Sequence, residues 1–238
     1  MPFDEEAEAC LRSERALTFR RLVKWTAGLL IIGPLLLVLL FRLVPPPATP
    51  LMLLRLTEGE GLAKHWVGLD AISPELMRAV IASEDAKFCS HHGFDWDAID
   101  NAVEVYQDGG HVLGASTISM QTAKNVFLWP GRTFLRKGIE AGFTVLIETL
   151  WGKRRIMEVY LNVIEWGHGV YGAEAASRAW FHKPAAGLSR SEAAALAAIL
   201  PSPRRWSPTH PNGHVAARIR IIEERMGGVS LFPTRICP

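Results

Sequence analysis

The chain has 238 residues, with 26 Lys and Arg against 24 Asp and Glu and a formal net charge of +2. That length suits one folded domain with a short appendage, and the near-neutral balance gives no global field that would indicate a nucleic-acid partner. Charge is local instead, because residues 124–155 hold seven Lys and Arg against two Glu. This stretch favours an anionic partner, although a solvated helix face would explain each basic residue taken singly.

The N-terminal part of the chain predicts a membrane anchor. Residues 1–24 read as a cytoplasmic tail and residues 25–44 as a transmembrane helix, whose uncharged run Trp25–Phe41 is slightly shorter than the usual ~20 residues. Basic residues cluster before this run and are sparse after it, so the positive-inside rule places the N-terminus in the cytoplasm. A cleaved signal peptide and a buried soluble helix are the alternatives. The long acidic tail and the three prolines from Pro45 argue against them.

The remainder is predicted to be a linker and lead-in segment, residues 45–72, followed by a folded domain, residues 73–238. Apolar residues recur at helical spacing and no convincing strand pair is apparent, so the domain is predicted to be mainly α. The predicted helices run, in chain order, from Ser73 to about His92, from Asp95 to Gly109, from Ser116 or Thr117 to about Phe127, from Thr133 to Leu150, from Lys153 to Ile164, over 170–181, over 190–200 and around 215–226.

The three cysteines, Cys10, Cys89 and Cys237, have no spacing that indicates a metal site. An oxidising compartment outside the cytoplasm would allow Cys89 and Cys237 to pair, although two isolated cysteines do not by themselves predict a disulfide.

The first segment with catalytic potential begins with adjacent carboxylates, Glu84 and Asp85, followed by Phe88, His91 and Gly93. A carboxylate partly shielded from water on an apolar helix face suits a general base near neutral pH. Glu84 is therefore the candidate base, and Asp85 is expected to support the fold. An ordinary surface acidic pair is the alternative, and the aromatic and histidine neighbours argue against it.

The second segment, residues 114–125, is a Gly/Ser/Thr-rich turn that leads into a helix. Backbone N–H groups at such a helix N-terminus attract anions, and Ser116 and Thr117 lie at this point. Gln121 and Lys124 follow one and two turns later. A simple helix cap is the alternative, and a P-loop is excluded because its spacing is absent.

In the third segment, Arg136 and Lys137 precede Glu140 at spacings that allow both to pair with it on one helix face. A surface ion pair worth ~0.3–0.5 kcal/mol is the plain interpretation. The functional interpretation is that the pairing keeps Glu140 ionised and presents cations to phosphate. Between these segments, Val126–Trp129 is expected to be core, with contact to lipid as the alternative.

Taken together, these segments resemble the membrane-anchored, monofunctional peptidoglycan glycosyltransferases of glycosyltransferase family 51. The resemblance covers about residues 60–208. It rests on five ordered motifs, which are Glu84 to Gly93, Gly114 to Asn125, Arg136 to Glu140, Lys153 to Asn162, and Gly172 to Ala193. One departure is Met120, where the family usually has the first glutamine of a pair.

The resemblance implies a lysozyme-like helical domain with one N-terminal transmembrane helix. It implies polymerisation of lipid II into linear β-1,4 glycan strands, with release of polyprenyl diphosphate. Glu84 matches the general base and Glu140 the second essential carboxylate. The implied substrate-binding residues are Ser116, Thr117, Gln121, Lys124, Arg132, Arg136 and Lys137. The implied structural residues are Asp85, Phe88, His91, Gly93, Asn125, Glu158, Tyr160 and Asn162.

The resemblance also implies a divalent cation, Mg²⁺ or Mn²⁺, and a location in the bacterial inner membrane with the catalytic domain in the periplasm. Expected partners are lipid II as donor, the growing glycan chain as acceptor, the lipid bilayer, and cell-wall synthesis or division proteins, but no nucleic acid. A lysozyme-type hydrolase is the nearest rival, and a membrane-anchored cell-wall scaffold is the rival without catalysis.

Overall fold

The structure is a computed structural model, and it describes residues 20–21, 24–26, 28, 32–110, 114, 116–131, 133–231 and 236–237. The chain divides into two units, Met1–Leu43 and Val44–Pro238. In the first unit, residues 32–43 are helical. None of the helices within the described ranges combines the length and the apolar character needed to cross a membrane. The predicted span 25–44 includes positions 27 and 29–31, which lie outside those ranges.

The second unit is mainly helical in its described part, as predicted and consistent with a lysozyme-like domain. Its helices are α1 (Pro50–Thr57), α2 (Pro74–Glu84), α3 (Trp96–Gln107), α4 (Ile118–Phe127), α5 (Phe134–Leu150), α6 (Gly152–Val163), α7 (Ala173–Phe181), α8 (Arg190–Ile199) and α9 (Gly213–Met226). Short 3-10 turns occupy Leu69–Ala71 and Ala185–Gly187.

Helix starts follow from local side chains that cap free backbone N–H groups. Ser73 caps α2 with Pro74 at its first position, and Asp95 caps α3. Thr117 caps α4 by accepting from the Met120 N–H group. These starts agree with the sequence. Ser189 and Glu192 form the predicted capping box at α8.

Two packed groups of helices position the site. In the first group, α4 packs against α5 and α6. In the second, α8 packs against α2 and α9. Residues 193–199 of α8 are all buried, and five of these seven are alanine. Small side chains let neighbouring helices approach closely, so residues from α2 and α9 can meet beside α8.

Helix α2 ends at Glu84, earlier than the predicted end near His92. The physical reason is Asp85, whose carboxylate accepts from the Ile118 backbone N–H at 2.9 Å and contacts His91 Nε2 at 2.9 Å. The two tertiary contacts hold Asp85 at φ −161°, outside the helical region. The following loop therefore turns toward α4.

A small sheet is present where none was predicted. Strand β1 (Ala63–Lys64) pairs in parallel with β3 (Val170–Tyr171), which pairs antiparallel with β2 (Glu165–Gly167). Strands of two or three residues are too short to show an alternating pattern in the sequence.

The predicted linker 45–72 also differs from the structure, because it contains α1 and β1 and belongs to the second unit. Helix α1 begins with Thr49 as cap and Pro50 next, which is the same signal that marks α2.

Cys89 and Cys237 form a disulfide that joins the loop after α2 to the segment after α9, across 148 positions of the chain. Replacing both by Ser should lower the free energy of unfolding by about 2–4 kcal/mol, because the unfolded chain loses a crosslink that closes a long loop. Chemical denaturation of the full-length protein measures this change. A reductant should destabilise the wild type and leave the double variant unaffected. Wild-type unfolding that does not respond to reductant would contradict the prediction.

Candidate active site

Glu84 lies at the C-terminal end of α2, with its side chain 14% exposed. Its Oε1 accepts from the Ser83 hydroxyl at 3.0 Å and lies 3.3 Å from Arg218 Nη2. Its Oε2 accepts from Gln121 Nε2 at 3.0 Å. Both carboxylate oxygens are therefore held, by residues from three different helices.

Gln121 is itself held in one orientation. Its Oε1 accepts from the Tyr160 hydroxyl at 3.2 Å, which leaves Nε2 to face Glu84 and the Ser116 carbonyl. Burial raises the pKa of the Tyr160 phenol well above its ordinary value, and the charges of Glu84 and Asp85 act in the same direction. The phenol therefore stays protonated as a donor, and this fixes which end of the Gln121 amide points at Glu84.

The second carboxylate, Glu140, is 2% exposed on α5 and has both oxygens paired. Arg136 Nη1 lies 2.7 Å from Oε2, and Lys137 Nζ contacts Oε1, so both predicted pairings are present. Arg136 is buried, whereas the Lys137 side chain is 45% exposed and its Nζ lies 3.4 Å from Ser116 Oγ. Lys137 thus faces the cleft from the Glu140 side.

Lys124 is a half-buried cation on α4 that lies within electrostatic range of both carboxylates. Burial lowers the pKa of Lys124. Glu140 and Glu84 oppose this shift, while Arg136 and Lys137 add to it. Within the part of the chain that the structure describes, no carboxylate lies close enough to form an ion pair with its ammonium group. Its positive charge is therefore available to an added anion.

Ser116 and Gln121 connect the two carboxylates through a continuous set of contacts, and the space around these residues is called the cleft below. Ser116 approaches Gln121 through its carbonyl and Lys137 through its hydroxyl. Gln121 donates to Glu84, and Lys137 pairs with Glu140. The structure thus brings together predicted residues of three separate sequence segments. Arg132, also predicted to bind substrate, lies outside the described residues.

The predicted structural residues of the first segment tie the loop after α2 to α4. Gly93 N–H donates to His91 Nδ1, so His91 Nε2 carries the proton and donates to Asp85. Thr117 Oγ1 donates to the Gly93 carbonyl at 2.6 Å. Gly93 has φ +94°, and a Cβ there would lie 2.9 Å from a Thr144 methyl carbon, so glycine is required on both counts.

Other predicted structural residues lie further from the cleft. Phe88 is buried under Lys153, whose Nζ is 4.6 Å from the ring centroid. Asn162 donates to the Val67 carbonyl and accepts from the Val67 N–H, while Glu158 pairs with Arg155. These contacts hold the segment before α2 and the helix α6 in place.

Lys124 also lines a cavity of about 340 Å³ with Asn125 and mainly apolar neighbours. The apolar lining includes Leu51 from α1 and Leu128 and Trp129 from the end of α4. Trp129 is about half exposed, whereas Val126 and Leu128 are buried. The segment Val126–Trp129 is thus partly core, as expected, and partly accessible.

Two further positions, Met120 and Arg218, were not assigned a role from the sequence. Met120, where the family usually has glutamine, is buried on α4. Arg218, which the sequence did not single out, contacts Glu84 from α9. No local pattern could have found Arg218, because it lies 134 positions from its partner.

Among the described residues, no group of three or more His, Cys, Asp or Glu is arranged to hold a metal ion. The two carboxylates of the site already contact cations, Arg136 and Lys137 at Glu140 and Arg218 at Glu84, and these positive charges disfavour a further cation held by the side chains alone.

Comparison with known proteins agrees with this arrangement. The transglycosylase family model matches residues 52–227. The chain is 59% identical over 211 residues to a biosynthetic peptidoglycan transglycosylase of Rhodospirillum centenum, covering 87% of this chain and 90% of the relative. Relatives of the same name from Caulobacter vibrioides and Pseudomonas fluorescens are 56% and 53% identical over 200 and 214 residues. These alignments cover 84% and 87% of this chain, and 87% and 88% of the relatives.

The family match and the names of the relatives define the class as a glycosyl-transferring enzyme of peptidoglycan synthesis. The chain belongs to the transglycosylase family, in its monofunctional peptidoglycan glycosyltransferase form.

Proposed function

We propose that the protein polymerises lipid II into linear β-1,4 glycan strands of peptidoglycan and releases polyprenyl diphosphate. The observation that carries this proposal is a continuous set of contacts that runs from the held carboxylate of Glu84 through Gln121 and Ser116 to Lys137, with Lys124 in electrostatic range of Glu84. The names of the relatives support the same substrate class.

The proposed reaction is a single displacement. The 4-hydroxyl oxygen of the acceptor sugar attacks the anomeric carbon of the donor, and the bond from that carbon to the diphosphate oxygen breaks. The donor is α-linked and the product β-linked, so the anomeric carbon is inverted. A sugar hydroxyl is a poor nucleophile, and Glu84 takes its proton as general base.

The diphosphate leaves with the electron pair of the broken bond. Fixed positive charge stabilises the developing anion and replaces protonation by an acid. Lys124 suits this role because its charge lacks a close carboxylate partner among the described residues, and Lys137 adds a second charge at the cleft. Glu140 holds Lys137 and Arg136 in place. Arg132 stays a predicted further contact.

The cavity beside Lys124 suits the lipid part of the donor. The polyprenyl chain is attached to the diphosphate, so the first isoprene units must lie next to the groups that bind it. Leu51, Leu128 and Trp129 provide an apolar lining at that position.

A divalent cation stays a prediction of the resemblance. The side chains that the structure describes offer no group of three or more metal-binding residues, and no step of the proposed reaction uses a metal. Polymer formation that is lost on adding a chelator and restored by Mg²⁺ or Mn²⁺ would support the cation.

We also propose that the protein is a single-pass protein of the inner membrane, with a cytoplasmic N-terminus and a periplasmic catalytic domain. The distribution of basic residues around the run Trp25–Phe41 supports this topology. The disulfide between Cys89 and Cys237 supports an oxidising compartment for the second unit. The bilayer and proteins of cell-wall synthesis or division are the proposed partners.

A lysozyme-type hydrolase is less compatible with these contacts. Such an enzyme needs a protonated carboxyl to donate to the leaving oxygen. Both oxygens of Glu84 instead accept hydrogen bonds, and the facing groups are cations that a neutral glycan leaving group does not require.

The first test removes the base. Glu84→Gln should lower polymerisation of labelled lipid II by at least about 100-fold in the detergent-solubilised full-length protein, because the amide cannot take the hydroxyl proton. Thermal unfolding should stay within a few degrees of the wild type. Glu224→Gln, at an exposed position of α9, is the matched control and should leave the rate unchanged. Polymerisation at the wild-type rate by Glu84→Gln would reject this base.

The second test concerns the charge of Lys124, which must be protonated to bind diphosphate. Because burial lowers the pKa of Lys124 from its ordinary 10.5, the alkaline limb of kcat/KM for the donor should lie below that value. Lys124→Arg should move this limb to higher pH, since a guanidinium stays charged there. Lys124→Met should lower kcat/KM by about 100-fold at neutral pH. An alkaline limb at the same pH in the wild type and in Lys124→Arg would contradict the assignment.

A further inference from the structure

We infer that Arg218 is a positioning residue for Glu84 and determines which carboxylate oxygen receives the proton. This inference rests on the proposed function, because it assigns a role in the same reaction. It concerns a residue of α9, outside the region in which the sequence motifs occur.

The contacts of Arg218 converge on one oxygen of Glu84. Its Nη2 donates to Ser83 Oγ at 3.0 Å and to Glu84 Oε1 at 3.3 Å. The Ser83 hydroxyl in turn donates to the same Oε1 at 3.0 Å. Ser83 therefore accepts a hydrogen bond from Arg218 and donates its own hydroxyl proton in a hydrogen bond to Glu84. The three side chains contact one another in a closed triangle.

The two oxygens of Glu84 consequently differ in what they can still accept. A carboxylate oxygen has two lone-pair sites. Ser83 and Arg218 occupy both sites on Oε1, whereas the described residues supply Oε2 with one donor, Gln121. Oε2 thus keeps one site for the acceptor hydroxyl. Gln121 also approaches Ser116, next to Lys137, so Oε2 lies on the side of the cleft where the donor diphosphate is proposed to bind.

The guanidinium of Arg218 is not fully paired in this position. Its Nε is buried and has no hydrogen-bond partner among the described residues. Leaving a buried N–H group unpaired destabilises the fold. The guanidinium is nevertheless held against the end of α2, where α8 presents the Ala197 carbonyl 3.4 Å from Ser83 Oγ.

The charge of Arg218 adds a second consequence. The ionisable groups around Glu84 are Lys124 on α4, Tyr160 on α6 and Arg218 on α9, while Asp85 is turned toward His91. Arg218 is thus one of two cations near this carboxylate in the described part of the chain. Removing it takes away a charged donor that holds Oε1, so the carboxylate should be less well oriented toward the acceptor hydroxyl.

The test uses Arg218→Gln, Arg218→Lys and the matched control Arg220→Gln, at an exposed position of the same helix. All are assayed as full-length protein with labelled lipid II. Arg218→Gln should lower kcat by about 10-fold, part of what a positioned base contributes, with KM for lipid II changed less than twofold. Arg218→Lys, which keeps a cationic donor, should restore part of kcat, and Arg220→Gln should match the wild type.

The outcomes separate this inference from the function on which it rests. If the wild type forms no polymer, the proposed function fails. If the wild type forms polymer and Arg218→Gln matches it in kcat, only the inference on Arg218 is overturned. A fall in kcat that Arg218→Lys does not relieve, together with a matching loss of thermal stability, would also overturn it, because that pattern indicates a purely structural role.

Discussion

The buried carboxylate of Asp85 is the constraint on which the cleft depends. It accepts from the Ile118 N–H group at the start of α4 and from His91 in the loop after α2. One side chain therefore fixes the end of α2 against the beginning of α4. Glu84 and Gln121 lie on either side of this joint, and their separation is set by it. A charged group buried this deeply persists only when its oxygens are satisfied, so the joint is specific.

The cleft distributes its charges unequally. Glu140 is paired with two cations on its own helix, so its charge is fully compensated and the three groups together keep a net charge of +1. Lys124 has no carboxylate in ion-pair contact among the described residues, and its burial disfavours its own charge. An arriving diphosphate would supply the missing counter-charge in a place where solvent screens weakly. A buried site that disfavours the charge of its own lysine should therefore stabilise a leaving anion more strongly than a surface lysine would.

Local features of the fold could be predicted from the sequence, and long-range ones could not. The caps Ser73, Asp95 and Thr117 depend on neighbouring residues, as does the pairing of Arg136 with Glu140 one turn later. The strands are too short to show a pattern of their own, and β1 also pairs with β3 from about a hundred positions away. The sequence and the resemblance indicated Glu84 as the candidate general base, but the contact from Arg218 depends on how α9 packs on α2. The early end of α2 also escaped prediction, since Ile118 causes it from a distant part of the chain.

That early helix end explains how three consecutive side chains serve three different neighbours. Ser83 contacts Arg218 on α9, Glu84 contacts Gln121 on α4, and Asp85 reaches the Ile118 N–H group. In a continuing helix, successive side chains point about 100° apart around one axis, so the direction of Asp85 would be fixed by that of Glu84. The helical backbone after Glu84 would also fill the space that the loop now occupies. Ending the helix at Glu84 frees Asp85 to turn toward α4 while Ser83 stays in register with α9. The Glu84 carboxylate, which lies between Ser83 and Asp85 in the chain, is therefore held by α4 on one side and by α9 on the other.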